Sequence, residues 1–402
     1  MDREVQERPG AAAVAPQGTA HDGSQVNGSL WRRRPEWNGG EGPRLLFDSL
    51  FGNPAAPGGL LGDALMFRGI NLPRLFEGTW GWLTWPRWFQ DLALLDDLVA
   101  GHAGSVIPLG EVDEVRGRAA QCVMARHPGV RIEFSCSLPV SRRLGALVYH
   151  GRLFRSLCMT RALLRVAWRG GAAAAGKPVD LAFFPWSPKI APTILPVAEA
   201  AVSRGRMSAC VSGWQASAPF DLEDRWEWDT PASARSPRIL LEAWRAAGEL
   251  RGRWAALRRE GRLNPLAQWR GWDLRPLLLP FLETAVNHLY SVIANILAVE
   301  EWCKRRRIRG IVVPQDGGEA VRSLIAGARL AGVRSFSVQY GYSVDSPEIS
   351  EPLEDLALLN GDFPRRCFLR RGASADKLAV VGSTAYDRVA QLRRDRASLR
   401  LE

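Results

Sequence analysis

Lysine is almost missing from this chain: four (Lys177, Lys189, Lys304, Lys377) stand against 49 arginines. The net charge of +11 is therefore an arginine excess in a chain that is also rich in alanine and glycine. That pattern reads as the coding bias of a G+C-rich bacterial genome rather than a groove selected for polyanions, so nucleic acid is not an expected partner. Cysteine is sparse too. The six (Cys122, Cys136, Cys158, Cys210, Cys303, Cys367) form no CxxC pair and have no histidine at zinc-site spacing, which excludes the common zinc modules and fits a reducing compartment. No metal ligand set is visible. The N-terminus lacks the apolar core of a secretory signal, and no uninterrupted apolar run reaches the length of a membrane span. The expected location is cytoplasmic, either free or peripheral on the inner membrane face. Gly-x-Gly-x-x-Gly, Walker A and Gly-x-Ser-x-Gly motifs are all absent, which removes the usual dinucleotide, P-loop and hydrolase fingerprints.

What is present is a chain of 402 residues, 46% hydrophobic, enough for two or three domains. Residues 1–43 are rich in Gly, Pro, Ala and charge and read as a disordered tail. Residues 44–170 read as an irregular, mixed accessory region rich in Trp and Arg. Trp80, Trp82, Trp85 and Trp88 crowd one short stretch, where they either pack an accessory core or offer stacking surfaces. Arg161, Arg165 and Arg169 share one helical face, which suits either solvent or anionic lipid. "GGAAAAGK" follows as a linker.

From residue 178 to 382 the pattern alternates between apolar strands and helices, which predicts an α/β fold with a Rossmann-like parallel sheet. "VDLAFFP", "TILPVAEAAVSRG" and "MSACVSG" make a βαβ unit. Helices are expected over about 237–262 and 277–307, the second ending in the basic "KRRRIR", which complements a helix dipole. Further strands are expected at Ile308–Pro314, Ser335–Gln339 and Leu356–Leu359, with a helix over Glu319–Leu330. Residues 383–402 read as a junction helix.

Ligands of open parallel sheets bind beyond the carboxyl ends of the strands. The informative tips are therefore "PWSPK" (Trp186, Ser187), "PQDGG" (Gln315, Asp316, Gly317), "QYG" (Gln339, Tyr340, Gly341) and "GSTAYD" (Gly382, Ser383, Thr384, Asp387). Glycines there let amides approach a ligand or simply make tight turns. Asp316 and Asp387 suit a base or a helix cap. Helix starts after Gly318 and Ser383 suit an anion such as a diphosphate.

The order "IVVPQDGG…SVQYG", "EDLALLNG", "KLAVVGSTAYDRV" resembles the N-terminal half of GT-B-type proteins. Within them it is most similar to the group that holds bacterial surface-polysaccharide glycosyltransferases, CDP-glycerol glycerophosphotransferases and UDP-N-acetylglucosamine 2-epimerases. The resemblance runs over roughly 179–393. It implies a glycosyltransferase of cell-envelope or capsule polysaccharide synthesis with no bound cofactor and a nucleotide-diphosphate sugar as co-substrate. Asp316 would be the catalytic base. Trp186, Ser187, Gln315, Gly317, Gln339, Tyr340 and Gly341 would bind substrate, and Gly382, Ser383, Thr384 and Asp387 would lie at the donor junction. Two positions depart from the group's pattern. Tyr340 stands where the transferases carry a histidine, and Gln339 where the epimerases carry a glutamate, which argues against epimerisation. The donor-binding second GT-B domain is expected after residue 402, either as missing sequence or as a partner chain. Expected partners are thus a carbohydrate or lipid-linked acceptor and that donor half. The alternatives are a non-catalytic module that binds a glycan or a partner, or a protein like the nucleotide-sugar 2-epimerases or the glycerophosphotransferases.

Overall fold

A computed structural model describes residues 42–51, 60–76, 85–136, 159–166, 177–314, 318–341 and 352–384, apart from single positions within these ranges. Helix α1 (Gly42–Phe51) is the first element among the described residues. After two short helical turns and a tight hairpin come α2 (Trp85–Ala100), β1 (Val106–Val112), α3 (Glu114–Arg126) and β2 (Arg131–Cys136). β1 and β2 pair in parallel, so this region contains its own strand–helix–strand unit. It is more regular than its composition suggests, because α3 is amphipathic only weakly and its small residues (Gly117, Ala119, Ala120) carry the packing.

The second part holds β3 (Leu181–Phe183), α4 (Ala191–Gly205), β4 (Ala209–Ser212), β5 (Trp228–Asp229), α5 (Pro237–Arg259), α6 (Arg275–Arg306), β6 (Gly310–Pro314), α7 (Glu319–Leu330), β7 (Arg334–Val338), β8 (Leu356–Leu359), α8 (Asp362–Arg370) and β9 (Leu378–Val380). Seven strands form one sheet in the order β9-β8-β7-β6-β3-β4-β5, and every pairing in it is parallel. This is an α/β fold compatible with a Rossmann-like architecture. The order reverses between β3 and β6: from β3 the chain winds outward to β5, then returns through α5 and α6 to β6 and winds the other way.

The pleat sorts the core into two layers, because alternate side chains of a strand face opposite ways. Phe183, Val312 and Val338 meet Ile190, Ile194 and Ala198 of the α4 segment on one face. Ala182, Phe184, Ile311 and Val313 meet α7 and the last turns of α6 on the other. The contact between α6 and α7 is close because Gly327 has no side chain. A Cβ there would lie 2.6 Å from both the Ile296 carbonyl oxygen and Val299 Cβ.

The 32-residue α6 is long and apolar enough, by length and composition, to cross a membrane. Here its apolar surface is divided between two cores. Leu277 to Leu297 join α1, α2, α3 and α5 in the largest cluster, and Val299, Trp302 and Cys303 join the sheet. The accessory region therefore packs directly on the long helices that link the two halves of the sheet. Trp85 and Trp88 are buried in that cluster and stack on each other at 6.1 Å. Trp80 and Trp82 lie outside the described residues, as do Arg165, Arg169 and the tail before Gly42.

The basic end of α6 is structural. Lys304 and Arg305 pair with Glu300 and Glu301 one turn back. Arg306 is buried and ties the helix to edge strand β5 through Glu227 at 2.8 Å and Asp229 at 3.4 Å. Trp302 Nε1 donates to the same Asp229 at 2.7 Å. This cluster anchors a strand of two residues that backbone pairing alone would hold weakly.

Candidate functional site

Residues beyond the carboxyl ends of β3, β6, β7, β8 and β9 make one rim, interrupted at the reversal between β3 and β6. Doubly wound sheets bind ligands at such a reversal, because the helices that follow the two strands leave on opposite faces and open a crevice. Here α4 follows β3 on one face and α7 follows β6 on the other. α7 starts at Gly318 without a side-chain cap, so the positive end of its dipole stands at the rim.

The β3 tip turns at Ser187, whose carbonyl accepts the amides of Ile190 at 3.0 Å and Ala191 at 3.1 Å. This closes the chain into the first turn of α4. Pro196 lies inside that helix and has no N–H to offer the Pro192 carbonyl, which loosens the turn around it. The neighbouring Thr193 carbonyl accepts the Thr384 hydroxyl at 2.8 Å. Gly382 makes the preceding turn with φ +82, a conformation costly for other residues. The turn of Gly382, Ser383 and Thr384 is thus fastened to the helix that starts beside Ser187.

The β7 tip is built differently. Gln339 is 2% exposed. Its Oε1 accepts the backbone N–H of Asn360 at 2.9 Å, and its Nε2 donates to the Gly341 carbonyl at 2.9 Å. The amide braces the ends of β7 and β8 against each other, with its side chain turned into the rim. Tyr340 stands out beside it at 45% exposure. Gly341 has open space where a Cβ would be, so nothing in the packing demands a glycine there. The Val381 amide donates to the Leu359 carbonyl at 3.0 Å, which links the β9 tip to the same brace. Gln339, Tyr340, Gly341, Gly382, Ser383 and Thr384 therefore share the rim beyond β7, β8 and β9, and Ser187 lies on the β3 side of the reversal, joined to it through Thr384 and Thr193. Trp186, Gln315, Asp316, Gly317 and Asp387 lie outside the described residues.

Asn360 is a rim residue that the strand-tip reading passed over. Its signal was the Asn-Gly pair closing "LALLNG", a turn signature directly after an apolar run. Asp355, part of the family-like pattern, lies at the other end of the strands. There its Oδ2 accepts the Ser335 amide at 2.7 Å and the Ser335 hydroxyl at 2.9 Å, fixing strand register.

A cleft of about 580 Å³ opens at the amino edge of β3 and β4, lined among others by Lys177, Glu199, Met207, Arg225, Trp226 and Glu227. Most of its charges are already matched. Arg225 pairs with Glu199 and with Glu223, and Glu227 pairs with Arg306. The hydrogen bond from Arg306 holds the Glu227 carboxyl below its usual pKa. Groups that satisfy one another leave little to recognise a ligand, and strand direction puts this cleft at the wrong end of the sheet for a doubly wound site. The rim is the better candidate. Among the described residues no three His, Cys, Asp or Glu side chains gather in a metal-binding group. No protein-family model, curated protein or solved structure matches the chain.

Proposed function

We propose that the chain is the acceptor-binding half of a GT-B-like glycosyltransferase acting in bacterial cell-surface polysaccharide synthesis. The observation that carries this reading is the strand order. Its reversal at β3 and β6 falls among the polar tips whose sequence resembles that group. A carbohydrate or lipid-linked acceptor would lie along the rim with Tyr340 as an exposed ring against a sugar face. The nucleotide-diphosphate sugar would face it, held in a donor half. The uncapped start of α7 suits developing negative charge on the leaving diphosphate. Asp316 is the base assigned to the acceptor hydroxyl. Measuring the binding of sugar acceptors and of nucleotide-diphosphate sugars to the chain, and transfer once a donor half is supplied, tests this. Acceptor binding by the chain with transfer that disappears in Asp316→Asn supports the reading; tight binding of a nucleotide-diphosphate sugar to the chain alone overturns the division into halves, and transfer untouched by Asp316→Asn removes Asp316 from it.

A second reading, a glycan- or partner-binding module without chemistry, is favoured by one observation. The Gln339 amide is spent inside the rim, and Tyr340 occupies the adjoining exposed position. Glycan binding with no turnover of any nucleotide sugar even when a donor half is supplied would select it.

A further inference from the structure

We propose that Asn360 reads a ligand hydroxyl: its side-chain oxygen accepts a hydrogen bond from a carbohydrate lying beyond the ends of β7 and β8. The inference rests on the carbohydrate reading above and names a recognition group within it.

Asn360 takes part in a brace of three bonds, one of which orients its side-chain amide. Its backbone N–H donates to Gln339 Oε1 at 2.9 Å. Gln339 Nε2 donates to the Gly341 carbonyl at 2.9 Å, and Asn360 Nδ2 approaches that same carbonyl at 3.5 Å. Turning the Asn360 amide over would set its oxygen against the Gly341 oxygen, two acceptors without a proton between them. That contact favours this orientation, which leaves Asn360 Oδ1 buried with no hydrogen-bond partner.

A buried acceptor without a donor is a standing cost, so a fold that keeps one holds an incomplete site or a strained one. Its place decides between these. Asn360 sits directly after β8 on the carboxyl rim, one residue before Gly361 and bonded to the β7 tip. The oxygen takes a proton and gives none, so its missing partner is a donor. The exposed Tyr340 ring adjoins Gly341, and the Cβ position of Gly341 is open. A hydroxyl donor beside an aromatic platform is the chemistry of a sugar ring: one polar edge and one apolar face.

The test uses the full chain and saturation-transfer NMR with free glucose, galactose, N-acetylglucosamine and glycerol as probes, and sodium sulfate as a control without hydroxyl groups. Wild type and Asn360→Leu are compared, and thermal melting is recorded for each. The inference expects a hydroxylated probe to bind wild type and to bind the variant about tenfold more weakly, the worth of one lost hydrogen bond, with melting unchanged or raised. Should Asn360→Leu not fold, Asn360→Ala keeps the backbone bond to Gln339, adds no bulk and reads the same quantity. Equal binding by wild type and variant overturns the role of Asn360 alone and leaves the carbohydrate reading standing; the oxygen is then strained or water-filled. Binding of no probe to wild type takes down the carbohydrate reading, and this inference with it.

Discussion

Thr384 donates its hydroxyl to the Thr193 carbonyl at 2.8 Å across 191 positions of sequence. The bond ties the turn after the last strand of the sheet to the first turns of the helix after its first strand. The rim therefore closes on itself, and three of its tips are held by side chains in addition to the ladder.

Thr384→Val removes that donor while keeping the shape. The expected cost is about 1 kcal/mol, the net worth of an ordinary hydrogen bond, read as a lower denaturant midpoint with an unchanged slope. Amide exchange at Val381 and Gly382 should speed up while exchange in β6 stays as it was. Faster exchange throughout the sheet would mean the bond supports the whole fold and not the rim.

Gln339→Leu keeps the bulk, strands the Asn360 N–H and leaves the Gly341 carbonyl only its long contact with Asn360 Nδ2. An unpaired buried group costs about 1–3 kcal/mol, so a loss of about that size is expected by chemical denaturation. A loss under about 0.5 kcal/mol, the scale of a neutral surface change, would show that the brace carries little.

Gly327→Ala places a Cβ against the Ile296 carbonyl and Val299. Overpacking of this kind costs about 1–3 kcal/mol, so the variant should melt lower although alanine favours helix. A higher melting temperature would mean that α6 and α7 separate without strain.

The Glu227 carboxyl titrates below its usual range because Arg306 donates to it. A depressed acid stabilises the fold at every pH above its unfolded pKa and loses that contribution as pH falls through the folded value. Arg306→Met should therefore destabilise at neutral pH, by about 2 kcal/mol given that Glu227 is half exposed. The gap to wild type should narrow in acid. A gap independent of pH would assign the loss to packing alone.

Much of the sheet was legible. β8 and α7 fall where the apolar runs and Gly332 place them, and β6 and β7 differ by one or two terminal residues. These segments are continuous apolar runs bounded by polar tips, which is how a strand buried on both faces reads. β5 was invisible: two residues, Trp228 and Asp229, have no period, and their position comes from Trp302 and Arg306. The strand–helix–strand unit of residues 106–136 was read as irregular. β1 carries only the short run Val106–Leu109, broken by Pro108 and followed by Gly110 and Glu111, and β2 is charged at alternate places, so neither reads as a strand buried on both faces. Within the site, glycine-bearing tips could be located from sequence. Whether a side chain such as Gln339 faces a ligand or its own backbone is set by register with β8, which no local pattern encodes.

Because α6 contributes to two cores at once, the apparent seam at the Gly-Ala linker is no place to cut. A fragment starting at Lys177 would carry into water the apolar surface of α5 and α6 that shares a core with α1, α2 and α3, including the Phe281 face now covered by Trp88, and self-association would follow. Heating the intact chain should accordingly give one shared transition, with the sheet and its N-terminal cladding lost together.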